Sequence, residues 1–329
     1  MSVKALSLLM KTVFKPLKLR IKKMKYVDAH AHAYRKPIPF VTQFCSPKEI
    51  LERYDRYGIE MGALLPVVNS DIYLPQANED ILEMVENHPD RFFPFCNVDP
   101  RALINRSDAP LDQVLQYYKD LGCKGVGEIM PNMEFMDDRV QNLFRCAEKV
   151  GLPVTTDGTD RPNADFGLCD APGLPGLEHT LQRFPNLKFI AHGPVFWAEI
   201  TERRRPALCK PVFGSDGLQH GSPGKRNFKI TTEGVAIELL REFPNLYGEL
   251  SDAYWILKGN EEFAVKFFVE FQDRLFFGTD CCNSTTEANF NIKLWFDELH
   301  DSGALPTDAW KKICRNNAID FFDLPLEKA

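Results

Sequence analysis

The sequence predicts an α/β protein built as one closed (β/α)8 TIM barrel, a single domain with a long loop after strand six. Short buried runs alternate eight times with amphipathic stretches, and no composition break divides the chain. Side chains able to bind a metal fall at the same end of five of those runs, the end where barrels of this kind carry their chemistry. The candidate strands are 26–33, 62–69, 91–99, 123–130, 152–157, 187–192, 245–251 and 274–280. Between them lie apolar repeats of helical period at 47–57, 78–87, 111–121, 141–150, 174–184, 233–243 and 261–271. Helix stops are read at Gly58, Gly122, Gly151 and the Phe-Pro pairs at Phe184 and Phe243.

Strand one carries Tyr26-Val27-Asp28-Ala29-His30-Ala31-His32. A period of two sets Asp28, His30 and His32 on one face and Val27, Ala29 and Ala31 on the other, so two imidazoles face one cavity. Alone the His-x-His pair is weak, since short pairs arise by chance in loops; its company decides. Strand four ends in Glu128, strand five in Asp157, strand six in His192, and strand eight in Gly278-Thr279-Asp280. Cys96 and Cys123 sit in apolar runs and read as small core residues.

About 36 residues of irregular sequence follow His192 before helical periodicity resumes after Thr231. They hold Arg203, Arg204, Arg205, Lys210, Lys225, Arg226 and Lys229 against Glu202 and Asp216, in a chain of formal charge −6. A basic lid over a metal site suits a carboxylate or phosphate substrate; a solvated charged loop is the alternative reading. Arg35 is a candidate contact for an anion, its alternative being an exposed charge. Trp197 and Trp255 follow strands six and seven and are candidates to wall the pocket, or else pack helices. Cys281 and Cys282 read as structural, and His88, His179, His220 and His300 carry no assigned role.

The acidic balance argues against nucleic acid as a partner, and no apolar run reaches the length of a membrane span. Nine cysteines without paired spacing suggest reduced thiols and a cytoplasmic location. Residues 1–25 form a basic N-terminal extension ahead of a barrel domain at 26–329. That extension carries eight Lys or Arg and no acid, interleaved with apolar residues; it reads as a frayed extension or as a helix touching a membrane surface.

The pattern resembles the amidohydrolase superfamily, and within it the amidohydrolase-related group of metal-dependent hydrolases and decarboxylases. The resemblance runs from Tyr26 to about Phe322. It rests on Asp28-Ala29-His30-Ala31-His32, Leu152-Pro153-Val154, the run from Leu187 to Gly193, Gly278-Thr279-Asp280, and Asn317-Ala318. It implies a divalent metal, zinc first and manganese second, held as one or two ions by His30, His32 and Asp280. Glu128 resembles a fourth-strand glutamate that bridges two metals in some relatives.

Where the family's fifth strand ends in a histidine ligand, this chain has Asp157. Asp157 can ligate as a harder donor, contact substrate instead, or mark lost affinity. The expected function is hydrolysis of an amide, ester or lactone of a small anionic substrate, with metal-activated water. Asp280 is the expected base; His192 is a further ligand or the group that polarises the carbonyl. Non-oxidative decarboxylation on the same scaffold is the alternative, and a metal-poor binding protein of the same fold is a second. The sequence leaves the substrate and the oligomeric state open.

Overall fold

Eight short parallel strands alternate with helices: β1 Tyr26–Ala31, β2 Ile59–Leu64, β3 Phe92–Pro94, β4 Val126–Ile129, β5 Val154–Thr156, β6 Phe189–Ala191, β7 Leu246–Glu249 and β8 Leu275–Phe276. The computed structural model describes residues 24–36, 44–68, 71, 76–159, 166–201, 212–213, 219–220 and 230–329. The barrel strands form one sheet ordered β1-β2-β3 and one ordered β8-β7-β6-β5-β4, beside two small two-stranded pairs. A parallel bridge from Cys96 to Val126 joins β3 to β4, and one from Ala31 to Cys281 joins β1 to the end of β8. Backbone bonds from Ala29 N to Phe277 O and from Asp280 N to His30 O, both 2.9 Å, complete the closed barrel.

The principal helices are α1 Pro47–Tyr57, α2 Asn78–Asn87, α3 Leu111–Asp120, α4 Asp138–Val150, α5 Pro175–Arg183, α6 Val235–Glu242, α7 Glu261–Glu270 and α8 Asn291–Asp301. Helix α1 begins in a capping box, with Ser46 and Glu49 each satisfying the other's backbone N–H. It ends at Gly58, whose φ of 72° is left-handed, where a side chain would be strained. A short helix, Gly193–Ala198, follows β6 inside the stretch expected to be irregular. Its apolar residues Val195, Phe196 and Trp197 are buried, which supplies the packing that orders the turn. The basic residues 203–205, 210, 225, 226 and 229 lie outside the described residues, as does residues 1–23 of the extension. No helix among the described residues is long and apolar enough to cross a membrane.

Two apolar layers result. Val27, Ala29, Met61, Ala63, Phe93, Phe95, Ile190 and Phe276 fill the barrel, together with Ala318, Ile319 and Phe322 of the terminal helix Asn317–Phe322. That helix stops the amino end of the barrel, its Phe322 ring 5.2 Å from Phe93 and 5.7 Å from Phe276. Tyr26, Tyr54, Phe144, Phe189, Trp197 and Phe268 belong to the outer layer between strands and helices.

The strict alternation expected of β1 does not hold. Val27 and Ala29 face the barrel interior, whereas Tyr26 and Ala31 belong to the outer layer. Pairing with β2 shifts register between Asp28 and Ala31, and such a bulge swaps faces downstream. Asp28 therefore does not share a line with the histidines. Its carboxylate accepts from Tyr54 Oη at 2.8 Å, Thr279 Oγ1 at 2.6 Å, and the backbone N–H of Thr279 and His30. It ties β1 to α1 and to the end of β8.

Candidate metal centre

The site is built where the strands leave their ladders. His32, Asp157 and His192 each follow directly on the last residue of β1, β5 and β6, and Asp280 lies four residues past β8. The backbone there is still held, His32 N–H by Cys281 O, Asp157 N–H by Ile129 O and Asp280 N–H by His30 O, so these residues sit at fixed places around the barrel mouth. Glu128 stays within β4, at a register shift between Val126 and Ile129 that re-aims its side chain.

Three imidazoles and two carboxylates converge. His30 Nε2 and His32 Nε2 lie 3.0 Å apart. Glu128 Oε2 is 3.5 Å from His30 Nε2 and 3.3 Å from His32 Nε2, while its Oε1 is 3.4 Å from His192 Nε2. Asp280 Oδ1 is 3.5 Å from His32 Nε2 and 3.9 Å from His30 Nε2. Two sets of donors, His30 with Glu128 and His192, and His30 with His32 and Asp280, each lie within 4.8 Å of one another. Two ligands bound at about 2.1 Å and at the tetrahedral angle stand about 3.4 Å apart, so these spacings fit donors around an ion.

The ring orientations agree. His32 Nδ1 is 2.8 Å from the carbonyl oxygen of Leu65, which only accepts, so Nδ1 carries the proton and Nε2 offers its lone pair. His192 is fixed in the same sense by Glu249, whose Oε2 lies 2.6 Å from its Nδ1. His30 Nδ1 is buried without a hydrogen-bond partner.

Charge is concentrated and shielded. Burial opposes ionisation of Glu128, yet the imidazoles of His192, His30 and His32 hold its carboxyl well below the usual range. Burial likewise opposes protonation of His32, but Asp280 and Glu128 outweigh it and push it up to about 10. Glu128 and Asp280 thus favour a proton on His32, and Glu128 and Glu249 favour one on His192; a divalent ion would supply the same compensation with its own charge.

The expected residues divide. His30, His32, Glu128, His192 and Asp280 come together. Asp157 is buried close to Gly193, where an added Cβ would lie 2.3 Å from its Oδ1, and it belongs to neither donor set. Arg35 is turned outward, paired with Asp80 at 2.8 Å and with Glu83, so its charge is spent on α2. Trp197 is fully buried behind β7, donating from Nε1 to Glu249 O at 2.9 Å and facing Phe267; it packs the outer layer and does not wall the pocket. Trp255 does line a recess with Asp280, Asp252 and Asn289. Cys281 is buried against Cys45 and Arg53, a structural place.

Sequence reading missed Glu249 and Asp252. The first ends β7 as other strand ends carry His192 or Asp157, and that position was the available signal. Loss of solvent pushes the Asp252 carboxyl up to about 7; His192 opposes this, and the charges of Asp280, Asp157 and Glu249 add to it.

The amidohydrolase family model matches residues 220–324, which take in β7, β8 and Asp280. The resemblance to the amidohydrolase-related group therefore stands. Solved barrels of similar fold extend over nearly the whole chain. An uncharacterized TIM-barrel protein from Bordetella bronchiseptica is 18% identical, with a TM-score of 0.59 over 91% of this chain and 99% of its own. A protein named as a candidate 2-pyrone-4,6-dicarboxylic acid hydrolase from Pseudomonas putida is 15% identical, with 0.58 over 92% and 99%. A 2,6-dihydroxybenzoate decarboxylase from Rhizobium is 16% identical, with 0.53 over 91% and 99%. At these identities the likeness is one of fold. No curated protein matches the sequence.

Proposed function

We propose that the protein is a metal-dependent hydrolase acting on a carbonyl-type bond, an amide, ester or lactone, of a small molecule. One observation carries the reading: Glu128 divides its two oxygens between His30 and His32 on one side and His192 on the other, as a carboxylate does when it spans a hydrolytic metal centre. His30, His32, Glu128, His192 and Asp280 would hold one or two divalent ions, zinc or manganese by donor type. Such an ion supplies Lewis acidity to a water and to the substrate oxygen.

The chain's own residues do the rest. Asp280, the most exposed of the donors, accepts the proton of the attacking water and returns it to the departing nitrogen or oxygen. His192, anchored through Nδ1, keeps the lone pair of Nε2 turned inward as a further ligand. Buried walls keep the charges strong. With Arg35 committed to α2, recognition of an anionic substrate falls to the ion and to the basic segment beyond β6.

Elemental analysis of the purified protein against the His30→Ala/His32→Ala variant tests the metal. About one or two equivalents, lost in the variant, support the reading; no metal after incubation with excess zinc or manganese ends it. A screen of lactones, esters and amides beside carboxylated aromatics then tests the reaction. Release of carbon dioxide without any hydrolysis would replace hydrolase by decarboxylase.

A further inference from the structure

We propose that Glu249 is the positioning carboxylate of this centre, orienting the His192 imidazole that follows β6 so that it turns Nε2 inward. The inference rests on the metal-dependent reading and adds to it a residue outside the ligand set.

The geometry separates the two buried glutamates. Glu128 meets the Nε2 atoms of His30, His32 and His192, whereas Glu249 meets Nδ1 atoms: Oε2 is 2.6 Å from His192 Nδ1 and 3.7 Å from His30 Nδ1. The rings of His30 and His192, with centroids 4.0 Å apart, thus lie between one acid on the inner side and one on the outer. A carboxylate only accepts, so a ring bonded to Glu249 through Nδ1 presents a lone pair at Nε2. His30 Nδ1 has no hydrogen-bond partner of its own, and Glu249 is the acid it faces.

Glu249 is itself held. Ser251 donates its backbone N–H to Oε1 at 2.8 Å and its hydroxyl to Oε2 at 2.8 Å. Trp197 donates to the backbone oxygen of the same residue. Gly278 leaves the space: a Cβ there would lie 1.8 Å from Oε1. A buried carboxylate is costly without such donors, and these fix the direction in which it points.

The test uses Glu249→Gln, which keeps shape and removes charge, with Ser251→Ala as a milder variant that unpins the carboxylate. Zinc affinity, read by competition with a chromophoric chelator, is expected to fall about 10- to 100-fold in Glu249→Gln with stoichiometry retained, and less in Ser251→Ala. In metal-free, isotope-labelled protein the His192 Nδ1 proton is expected far downfield, and to move or vanish in Glu249→Gln. Wild-type zinc affinity in Glu249→Gln, with only thermal stability lowered, overturns the proposal; so does a His192 ring without a proton on Nδ1 in the wild type. Should Glu249→Gln fail to fold, Ser251→Ala decides by the same two readings. A wild type that binds no zinc defeats the metal-dependent reading instead, and the resonance of His192 still decides the role of Glu249.

Discussion

Gly278 and Glu249 show how one missing side chain places another. An added methyl at Gly278 would overlap Oε1 of Glu249, the oxygen that accepts from the Ser251 backbone N–H, so the carboxylate would have to shift and give up that bond. Gly278→Ala is therefore expected to cost about 1–3 kcal/mol in denaturant unfolding, the usual range for overpacking, and to weaken metal binding along with it. Unchanged binding in a folded variant would show that Glu249 has room to move. His32 carries a pH prediction. Because Asp280 and Glu128 raise it to about 10, the metal-free protein holds a proton there that an ion must displace. Metal affinity should then rise with pH, about tenfold per unit for each proton released, and calorimetry in buffers of different ionisation heat counts those protons; a pH-independent affinity below about 9 would contradict it. At this scale the sequence yielded His30, His32, Glu128, His192 and Asp280, because strand ends concentrate chemistry. It left Arg35 and Trp197 each between two readings, because the direction of a side chain past a strand end depends on neighbours far away in sequence, such as Glu83 for Arg35 and Phe267 for Trp197.

Elements were legible where their period was long. Helices at 47–57 and 78–87 match α1 and α2 end to end, since caps and apolar spacing mark them locally. Strands were overestimated, with 274–280 reduced to the two residues of β8, because apolar sequence continues after ladder pairing stops. The bulge in β1 was not legible at all; it arises from pairing with β2, and alternation within one strand says nothing of its partner's register. The terminal helix Asn317–Phe322 gives a prediction at this scale. Phe322 packs on Phe93, Phe95 and Phe276 at the closed end of the barrel, far from the donor cluster. Phe322→Ala should cost about 3–5 kcal/mol by emptying that stop, and leave metal stoichiometry unchanged. Loss of metal in a variant that remains folded would mean that the two ends of the barrel are coupled.

Among the described residues, the barrel interior is stopped by apolar packing at its amino end and holds buried acids and imidazoles at the other. Two carboxylates and three imidazoles crowd the mouth in two sets whose donors lie within 4.8 Å of one another, and Glu249 adds a third acid behind them. Buried like charges destabilise a fold unless something of opposite sign joins them, and here His32 and His192 supply that by taking up protons. An ion that binds the folded barrel and not the unfolded chain should raise the thermal midpoint in proportion to the logarithm of its concentration above its dissociation constant. At about 100 times that constant the gain is about 2.7 kcal/mol. Removing the metal with a chelator should reverse the gain, and His30→Ala/His32→Ala should show no response to added zinc. The same double variant should be less stable than the metal-free wild type, because it leaves the buried Glu128 without two of the imidazoles that compensate it. A scan in which zinc raises the midpoint of wild type and double variant equally would place the stabilising site elsewhere on the protein.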